Sequence, residues 1–252
     1  MGFRVAIPAR YAASRLPGKP LRAIHGRPML EYVFRQAVAS GADEVVVATD
    51  DERIREAAAG FGATVVMTSA DHPSGTDRLA EAAARLGWDD AQVVVNLQGD
   101  EPLMPPALIR RVAENLARFP EAGISTVATP IGHREEVLSP HAVKVVTDAL
   151  GFALYFSRAP IPHCRDGLPP DGVPGGIYHR HLGLYAYRVA VLRRYPGLAP
   201  SDAEQREHLE QLRALHHGIR IHVHIADKAP PAGVDTEADL ARVNPLLAPP
   251  GA

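Results

Sequence analysis

Residues 3–21 read FRVAIPARYAASRLPGKPL. The first six, FRVAIP, are an apolar run that ends on a proline, the pattern of a short buried strand. Next comes a loop with Arg10, Arg15 and Lys19 set among small residues and beside Pro17-Gly18. In open parallel sheets ligands bind beyond the carboxyl ends of the strands. A loop leaving the first strand with three cations therefore suits a polyanion: Arg forks and a Lys point charge both hold phosphate oxygens. Gly18 would let the backbone turn towards such a ligand. Neither GxxxxGK[ST] nor GxGxxG occurs, which argues against the common ATPase and dinucleotide folds. A merely solvated basic loop is the alternative at this point.

The rest of the first 120 residues repeats one rhythm. Apolar spacing predicts a helix over 28–40, with Gly41 as its stop. EVVVAT (44–49) is a strand, and Thr49-Asp50-Asp51-Glu52 matches a capping box opening a helix to about residue 60. A strand at 63–67, a helix at 76–86, the strand QVVVNL (92–97) and a helix at 105–119 continue the alternation. Alternating strands and helices with near-continuous Val/Ile runs indicate a parallel sheet covered on both faces. From 121 onwards strands dominate (123–131, 143–148, 152–156, 181–187, 219–225). Helices are expected at 201–217, with Ser201 and Glu204 as a capping box and Gly218 at its end, and at 236–246. Residues 166–177 (DGLPPDGVPGGI) are a Pro/Gly-rich loop. No repeats are present. The fold class expected is α/β: a Rossmann-like three-layer αβα arrangement with a predominantly parallel mixed sheet and a smaller β-rich region. It forms one domain over 1–252, with a change of composition near residue 120.

Composition narrows the setting. The 252 residues are 46% hydrophobic and 22% charged with a net charge of −2, an ordinary globular balance that gives no reason to expect nucleic acid. No apolar run nears the ~20 residues of a membrane span, and the chain opens without a signal-peptide layout. One cysteine, Cys164, leaves no disulfide within the chain and fits a reducing cytoplasm. Of 27 basic residues only Lys19, Lys144 and Lys228 are lysine. Where arginine is the default cation, a retained lysine can mark a need for a compact point charge.

The loop PARYAASRLPGKPL, continued in order by ADHPSGTDR (70–78), NLQGDEP (96–102), AVKVV (142–146), YFSRAPIP (155–162), RHLGLYAYR (180–188), LEQLR (209–213) and GVDTEADL (233–240), resembles the nucleotide-diphospho-sugar transferase superfamily. Within it the chain is similar to the 3-deoxy-manno-octulosonate (KDO) cytidylyltransferases across nearly its whole length. The resemblance implies CTP and KDO as substrates, CMP-KDO and diphosphate as products, Mg²⁺ as cofactor, a cytoplasmic homodimer, and a place in lipopolysaccharide biosynthesis. It makes residues 1–120 a nucleotide-binding half and 121–252 a sugar-binding and dimerisation half, and sets Pro8, Ala9, Arg10, Ser14, Arg15, Lys19, His72, Ser74 and Gly75 around the nucleotide. Arg78, Gln98, His181, Tyr185, Glu207, Glu210 and Gln211 are set around the sugar. Asp100 and Asp235 together hold the metal, and Lys19 and Arg10 neutralise the phosphates.

Several of these residues have plainer readings. Asp100 emerges from the end of the strand QVVVNL, at the ligand edge, but is also a turn former beside Gly99. Asp235 precedes a helix that Thr236 and Asp239 can cap. Thr76 can cap the helix after DHPSG. His181 and Tyr185, four apart on a strand, share one face, and a satisfied core histidine is the bland alternative. Glu207, Glu210 and Gln211 share one face of the 201–217 helix, where a solvated stripe pairing with Arg206 and Arg213 is the other reading. Lys144 is open to two placements, towards the site or under the sheet. Ser139-Pro140-His141 departs from the family's usual Asn-Pro, and residues 163–179 match least well. Two competing functions stand beside KDO activation: a cytidylyltransferase for another acidic sugar (8-amino-KDO or sialic acid), and a non-catalytic nucleotide-binding regulator.

Overall fold

The computed structural model describes residues 2–12, 16–168, 172–173 and 176–247. Its strands are β1 (Arg4–Ala9), β2 (Ala23–Ile24), β3 (Arg27–Pro28), β4 (Glu44–Thr49), β5 (Thr64–Met67), β6 (Val93–Asn96), β7 (Ile124–Pro130), β8 (Lys144–Thr147), β9 (Ala153–Ser157), β10 (His179–Arg188) and β11 (Ile221–Ile225). The helices are α1 (Met29–Ala39), α2 (Glu52–Gly60), α3 (Gly75–Arg85), α4 (Pro106–Arg118), α5 (Arg134–Leu138), α6 (Val189–Arg194), α7 (Asp202–Glu207), α8 (Gln211–His216) and α9 (Glu237–Val243).

The main sheet runs β11-β7-β10-β6-β1-β4-β5, with the β8–β9 hairpin attached to β10. β1 pairs in parallel with β4 and β6, β4 with β5, and β11 with β7, whereas β10 runs antiparallel to β6, β7 and β8. The α/β class with a mixed, mostly parallel sheet thus matches the expectation. Apolar side chains on its two faces build two large cores. One is centred on Val5, Ile7, Leu30, Val95 and Ile109, the other on Ala6, Val46, Leu79, Phe156 and Leu192. Strands buried on both faces need side chains that are apolar at every position, and that is why they read as unbroken Val/Ile runs.

The differences from expectation are local. The helix after β4 is capped by Asp51, whose side chain accepts from the Arg53 amide; Thr49 lies two residues too early, inside the strand. Ser74, not Thr76, caps α3. The helix expected over 201–217 is two short helices, α7 and α8, separated at His208, whose φ of 51° is left-handed. A residue in that conformation ends a right-handed helix, so Glu207 no longer shares a face with Glu210 and Gln211. The capping box of Ser201 and Glu204 is present. The small β2–β3 hairpin, α5 and α6 have no counterpart among the expected elements.

Candidate active site

The site forms where β1 and β6 end. Gly18, left-handed at φ 65°, opens a one-turn 3₁₀ helix over Lys19–Leu21 and sets Lys19 across from the loop that leaves β6. A side chain at Gly18 would also stand 3.1 Å from the Tyr11 ring. After β6 the chain crosses β1 so closely that a Cβ on Gly99 would meet the Pro8 carbonyl oxygen at 3.1 Å. Glycine there lets Asp100 leave the sheet beside the first loop. From the far end of the sequence, Val234 donates its amide to the Asp100 carbonyl at 2.9 Å. That hydrogen bond delivers Asp235.

Three residues distant in sequence therefore meet. Lys19 Nζ donates to Asp100 Oδ2 at 2.5 Å and to Asp235 Oδ1 at 3.1 Å. The meeting is locked from behind. Leu16, Ile24, Met29, Val234 and Val243 share a small apolar core, and Arg22 grips Glu237 through two hydrogen bonds of 2.5 and 2.9 Å. Burial pulls the Lys19 ammonium down, but Asp100 and then Asp235 more than offset this and hold its pKa above the ordinary value. Glu101 sits behind the pair. Burial, reinforced by the charges of Asp100 and Asp235 and opposed by Lys19 and Arg242, pushes it up to about 7.

Of the residues expected around the nucleotide, Pro8, Ala9, Arg10, His72, Ser74 and Gly75 line a cavity of about 130 Å³, together with Arg78 and Gln98, whereas Lys19 is not among its walls. Ser14 and Arg15 lie outside the described residues. Arg10 is exposed at this cavity. His72 is hydrogen-bonded through Nε2 to Glu81. Despite partial burial, which raises it, that carboxyl is brought down to about 2 by hydrogen bonds from the Ser69 amide, His72 and Arg85. Arg78, expected beside the sugar, is instead a wall of this cavity. Its guanidinium is engaged by Thr68 Oγ1 at 2.6 Å and by Asp50 Oδ1 at 3.0 Å.

Gln98 is shared with a second cavity of about 60 Å³, which Asn96, Tyr185, Tyr187, Tyr195, Glu210 and Gln211 also line. Tyr185 and Gln211 in turn open onto a cleft of about 880 Å³ containing His181, Arg180, Glu101 and Gly233. The three spaces thus share walls in sequence, and Glu101, next to Asp100 in the chain, lines the last of them; Lys19, Asp100 and Asp235 line none of the three. The break at His208 turns Glu210 and Gln211 inwards. Glu210 Oε1 accepts from Ser74 Oγ at 3.2 Å, and its carbonyl accepts from Tyr195 Oη at 2.7 Å. Burial raises the Glu210 carboxyl, with Thr76 and Ser74 opposing, and the same burial drives the Tyr185, Tyr187 and Tyr195 phenols upwards. The Gln211 amide nitrogen is buried without a hydrogen-bond partner, which marks a donor waiting for an acceptor.

His181 and Tyr185 do come together, with ring centroids 5.3 Å apart. His181 Nε2 pairs with Thr126 Oγ1 at 2.9 Å, and burial lowers its pKa to about 3, so the imidazole is neutral. Glu207 is not at the cavities: its oxygens take Ser157 Oγ at 2.6 Å and the Arg158 amide at 2.9 Å. Lys144 is wholly buried and donates to the carbonyls of Ser139, Ala142 and Arg158, so of its two placements it takes the one under the sheet. Sequence reasoning passes over Arg180, Glu101, Asn96, Tyr187 and Tyr195. Arg180 and Tyr187 stand inside the quoted RHLGLYAYR, and alternation with Tyr185 would place Tyr187 on the same face.

A family model described as Cytidylyltransferase matches residues 5–221. A 3-deoxy-manno-octulosonate cytidylyltransferase of Alkalilimnicola ehrlichii is 59% identical over 99% of this chain and 97% of its own. One from Halorhodospira halophila is 57% identical over 96% and 95%. Among solved structures, a CMP:2-keto-3-deoxy-manno-octonic acid synthetase complexed with CTP superposes with a TM-score of 0.89 at 41% identity, covering 98% of both chains. A cytidylyltransferase of Leptospira borgpetersenii, at 16% identity and a TM-score of 0.60, shares the fold.

Proposed function

Since this chain belongs to the cytidylyltransferase family, we propose that it activates KDO. It transfers the cytidylyl group of CTP to the anomeric hydroxyl of the sugar acid and releases diphosphate and CMP-KDO for lipopolysaccharide assembly. Full-length relatives at 59% and 57% identity carry that activity in their names. Within the structure, the observation that carries the reading is the convergence of Asp100 and Asp235 on one cation.

Nucleotidyl transfer asks the protein for alignment and charge neutralisation rather than covalent chemistry. The cytidine end of the nucleotide is assigned to the cavity walled by Pro8, His72, Ser74 and Gly75, the last of which begins α3. Arg10 and Lys19 bracket the phosphates and stabilise the departing diphosphate. Gln98, Glu210 and Gln211, together with Tyr185 and neutral His181, offer donors and acceptors to the sugar hydroxyls, and Arg180 is a cation in the cleft for an acidic sugar.

Asp100 and Asp235 suit Mg²⁺, which takes one or two protein carboxylates and completes its octahedron with substrate oxygens and water. The Lys19 ammonium lies within reach of both carboxylates, which supports reading them as a pair that can share one cation. Among the described residues no group of three or more acidic, His or Cys side chains forms a fuller cage. A divalent ion held by Asp100 and Asp235 would supply Lewis-acid chemistry, lowering the pKa of the attacking hydroxyl. A dedicated general base is then unnecessary.

The active form we propose is a homodimer in the cytoplasm. Leu138, Leu150, Leu154, Tyr155 and Ile177 of the second half are exposed apolar side chains around the β8–β9 hairpin, the kind of surface a second copy covers. Among the described residues no helix is long and apolar enough to cross a membrane.

The test is diphosphate release with Mg²⁺, crossing four nucleoside triphosphates with KDO and N-acetylneuraminate. Turnover is expected only for CTP with KDO; equal rates with both sugars would overturn the KDO assignment. Asp100→Ala should abolish turnover with an unchanged circular-dichroism spectrum, and retained activity would remove the metal role of that carboxylate.

A further inference from the structure

The Lys19 ammonium stands in the position a divalent cation would take, 2.5 Å from Asp100 Oδ2 and 3.1 Å from Asp235 Oδ1. Both cannot be there at once. We infer that Lys19 and the divalent cation compete for the Asp100–Asp235 pair: Lys19 holds the carboxylates together in the nucleotide-free enzyme, and metal binding releases it to the phosphates. This rests on the reading of the two carboxylates as the metal pair.

The surroundings favour an exchange of side chains over a movement of backbone. Lys19 begins a closed turn in which its amide donates to Leu16 O and the Leu21 amide to Gly18 O. Leu16 packs in the same small core as Val234, next to Asp235, and Val234 is hydrogen-bonded to Asp100 O. The backbones of all three residues are thus tied to one another, while the four-carbon stem of lysine keeps its own rotations. Two carboxylates this close repel unless a cation lies between them. Lys19 is a cation in that position and so helps to keep the two carboxylates together. Lysine suits the task better than arginine. An ammonium is a point charge that one ion can replace, whereas a guanidinium fork grips carboxylates bidentately. The phosphates offer the displaced ammonium a new partner, so nucleotide and metal each raise the other's affinity by the same factor.

Binding of Mn²⁺ alone to the full chain, without nucleotide, tests this by electron paramagnetic resonance of the free ion. Lys19→Met should bind Mn²⁺ roughly tenfold to a hundredfold tighter than wild type, the range one charge-assisted hydrogen bond spans. Arg10→Met, which removes a nearby cation that does not touch the carboxylates, should tighten binding far less. A Lys19→Met affinity equal to or weaker than wild type, or matched by Arg10→Met, overturns the competition. Asp100→Asn separates the two levels of the argument. If it binds Mn²⁺ as well as wild type, the metal-pair reading falls and the competition with it. If it loses Mn²⁺ while Lys19→Met gains nothing, only the competition falls.

A second measurement needs no variant. The chain has three lysines, of which Lys144 is wholly buried and Lys228 exposed. Limited acetylation read by peptide mass spectrometry should show Lys19 labelling faster, relative to Lys228, when Mg²⁺ is added. An unchanged or falling ratio overturns the inference.

Discussion

Lys144 gives the most direct test of how the sheet supports the sugar side of the site. Its side chain is fully buried, and Nζ lies 2.8 Å from Ser139 O, 2.5 Å from Ala142 O and 2.6 Å from Arg158 O. All three ammonium protons are therefore used, and they tie the segment before β8 to the end of β9. Lys144→Met keeps the volume and takes the ammonium from all three carbonyls, of which that of Ser139 still accepts from the Ala142 amide at 3.3 Å. Each orphaned buried acceptor costs about 1–3 kcal/mol. Two effects reduce the total: methionine no longer has a charge to desolvate, and the carbonyl of Ser139, at the surface, regains water. A net loss of ~3 kcal/mol is the expectation. With a urea slope of ~3 kcal/mol/M for a chain of this size, the unfolding midpoint should fall by ~1 M. Ser139, Ala142 and Val143 line the cleft beside His181, so the KM for KDO should rise while that for CTP stays put. A midpoint within ~0.3 M of wild type, together with an unchanged sugar KM, would show that the carbonyl cage does not organise the cleft.

The pH dependence of stability should carry the signature of His181. Its folded pKa of about 3 lies below the ordinary 6.5, so the unfolded chain takes the proton first; stability is full above pH 6.5, declines as pH falls towards 3, and loses at most about 5 kcal/mol over that window. Urea titrations between pH 4 and 7 should show a shallower decline for His181→Phe, and identical slopes for the two proteins would exclude the histidine as the source. His208→Gly should stabilise. Relieving the left-handed φ of 51°, less the extra chain entropy of glycine, is worth up to about 1 kcal/mol, or roughly 2–4 °C in Tm; a lower Tm would mean that the His208 side chain contributes packing that its exposure does not suggest.

How much of the fold is legible in the sequence depends on which forces act locally. Strand β4 runs Glu44–Thr49, the same residues its Val run marks, because a strand buried on both faces leaves its burial in the residue types themselves. The 201–217 segment reads as one helix for a complementary reason. Apolar periodicity continues through Leu209 and Leu212, both buried, but periodicity does not register one residue turning left-handed. That single dihedral sends Glu207 to Ser157 and Arg158 while Glu210 and Gln211 reach the cavities. Caps are displaced for a similar reason. Ser74 and Asp51 win over Thr76 and Thr49 because the strand or loop before each helix sets where the first free amides fall. The meeting of Asp100 with Asp235 comes only from resemblance, since no local pattern records that the 233–235 segment hydrogen-bonds back to Asp100, and the placement of Lys19 on both carboxylates comes from the structure alone.

The scarcity of lysine is where composition and site meet. A chain that uses arginine almost everywhere keeps lysine at 19 and 144, and both places ask for the same geometry. At Lys144 three carbonyl oxygens surround one nitrogen within 2.8 Å. At Lys19 two carboxylates converge on one nitrogen. A tetrahedral ammonium can direct three donors at acceptors gathered round a point, whereas the planar guanidinium spreads five donors along an edge and matches acceptors lying in a plane. Two arginines of this protein show the latter: Arg22 grips Glu237 through both nitrogens of its fork, and Arg213 holds Glu204 through Nε and Nη2. Lys228, exposed, shows that retention alone does not imply such a role. The difference lies in burial with convergent oxygens, which Lys19 and Lys144 have and Lys228 lacks; between those two, Lys144 meets neutral backbone carbonyls and Lys19 meets carboxylates, the ligands a divalent ion prefers.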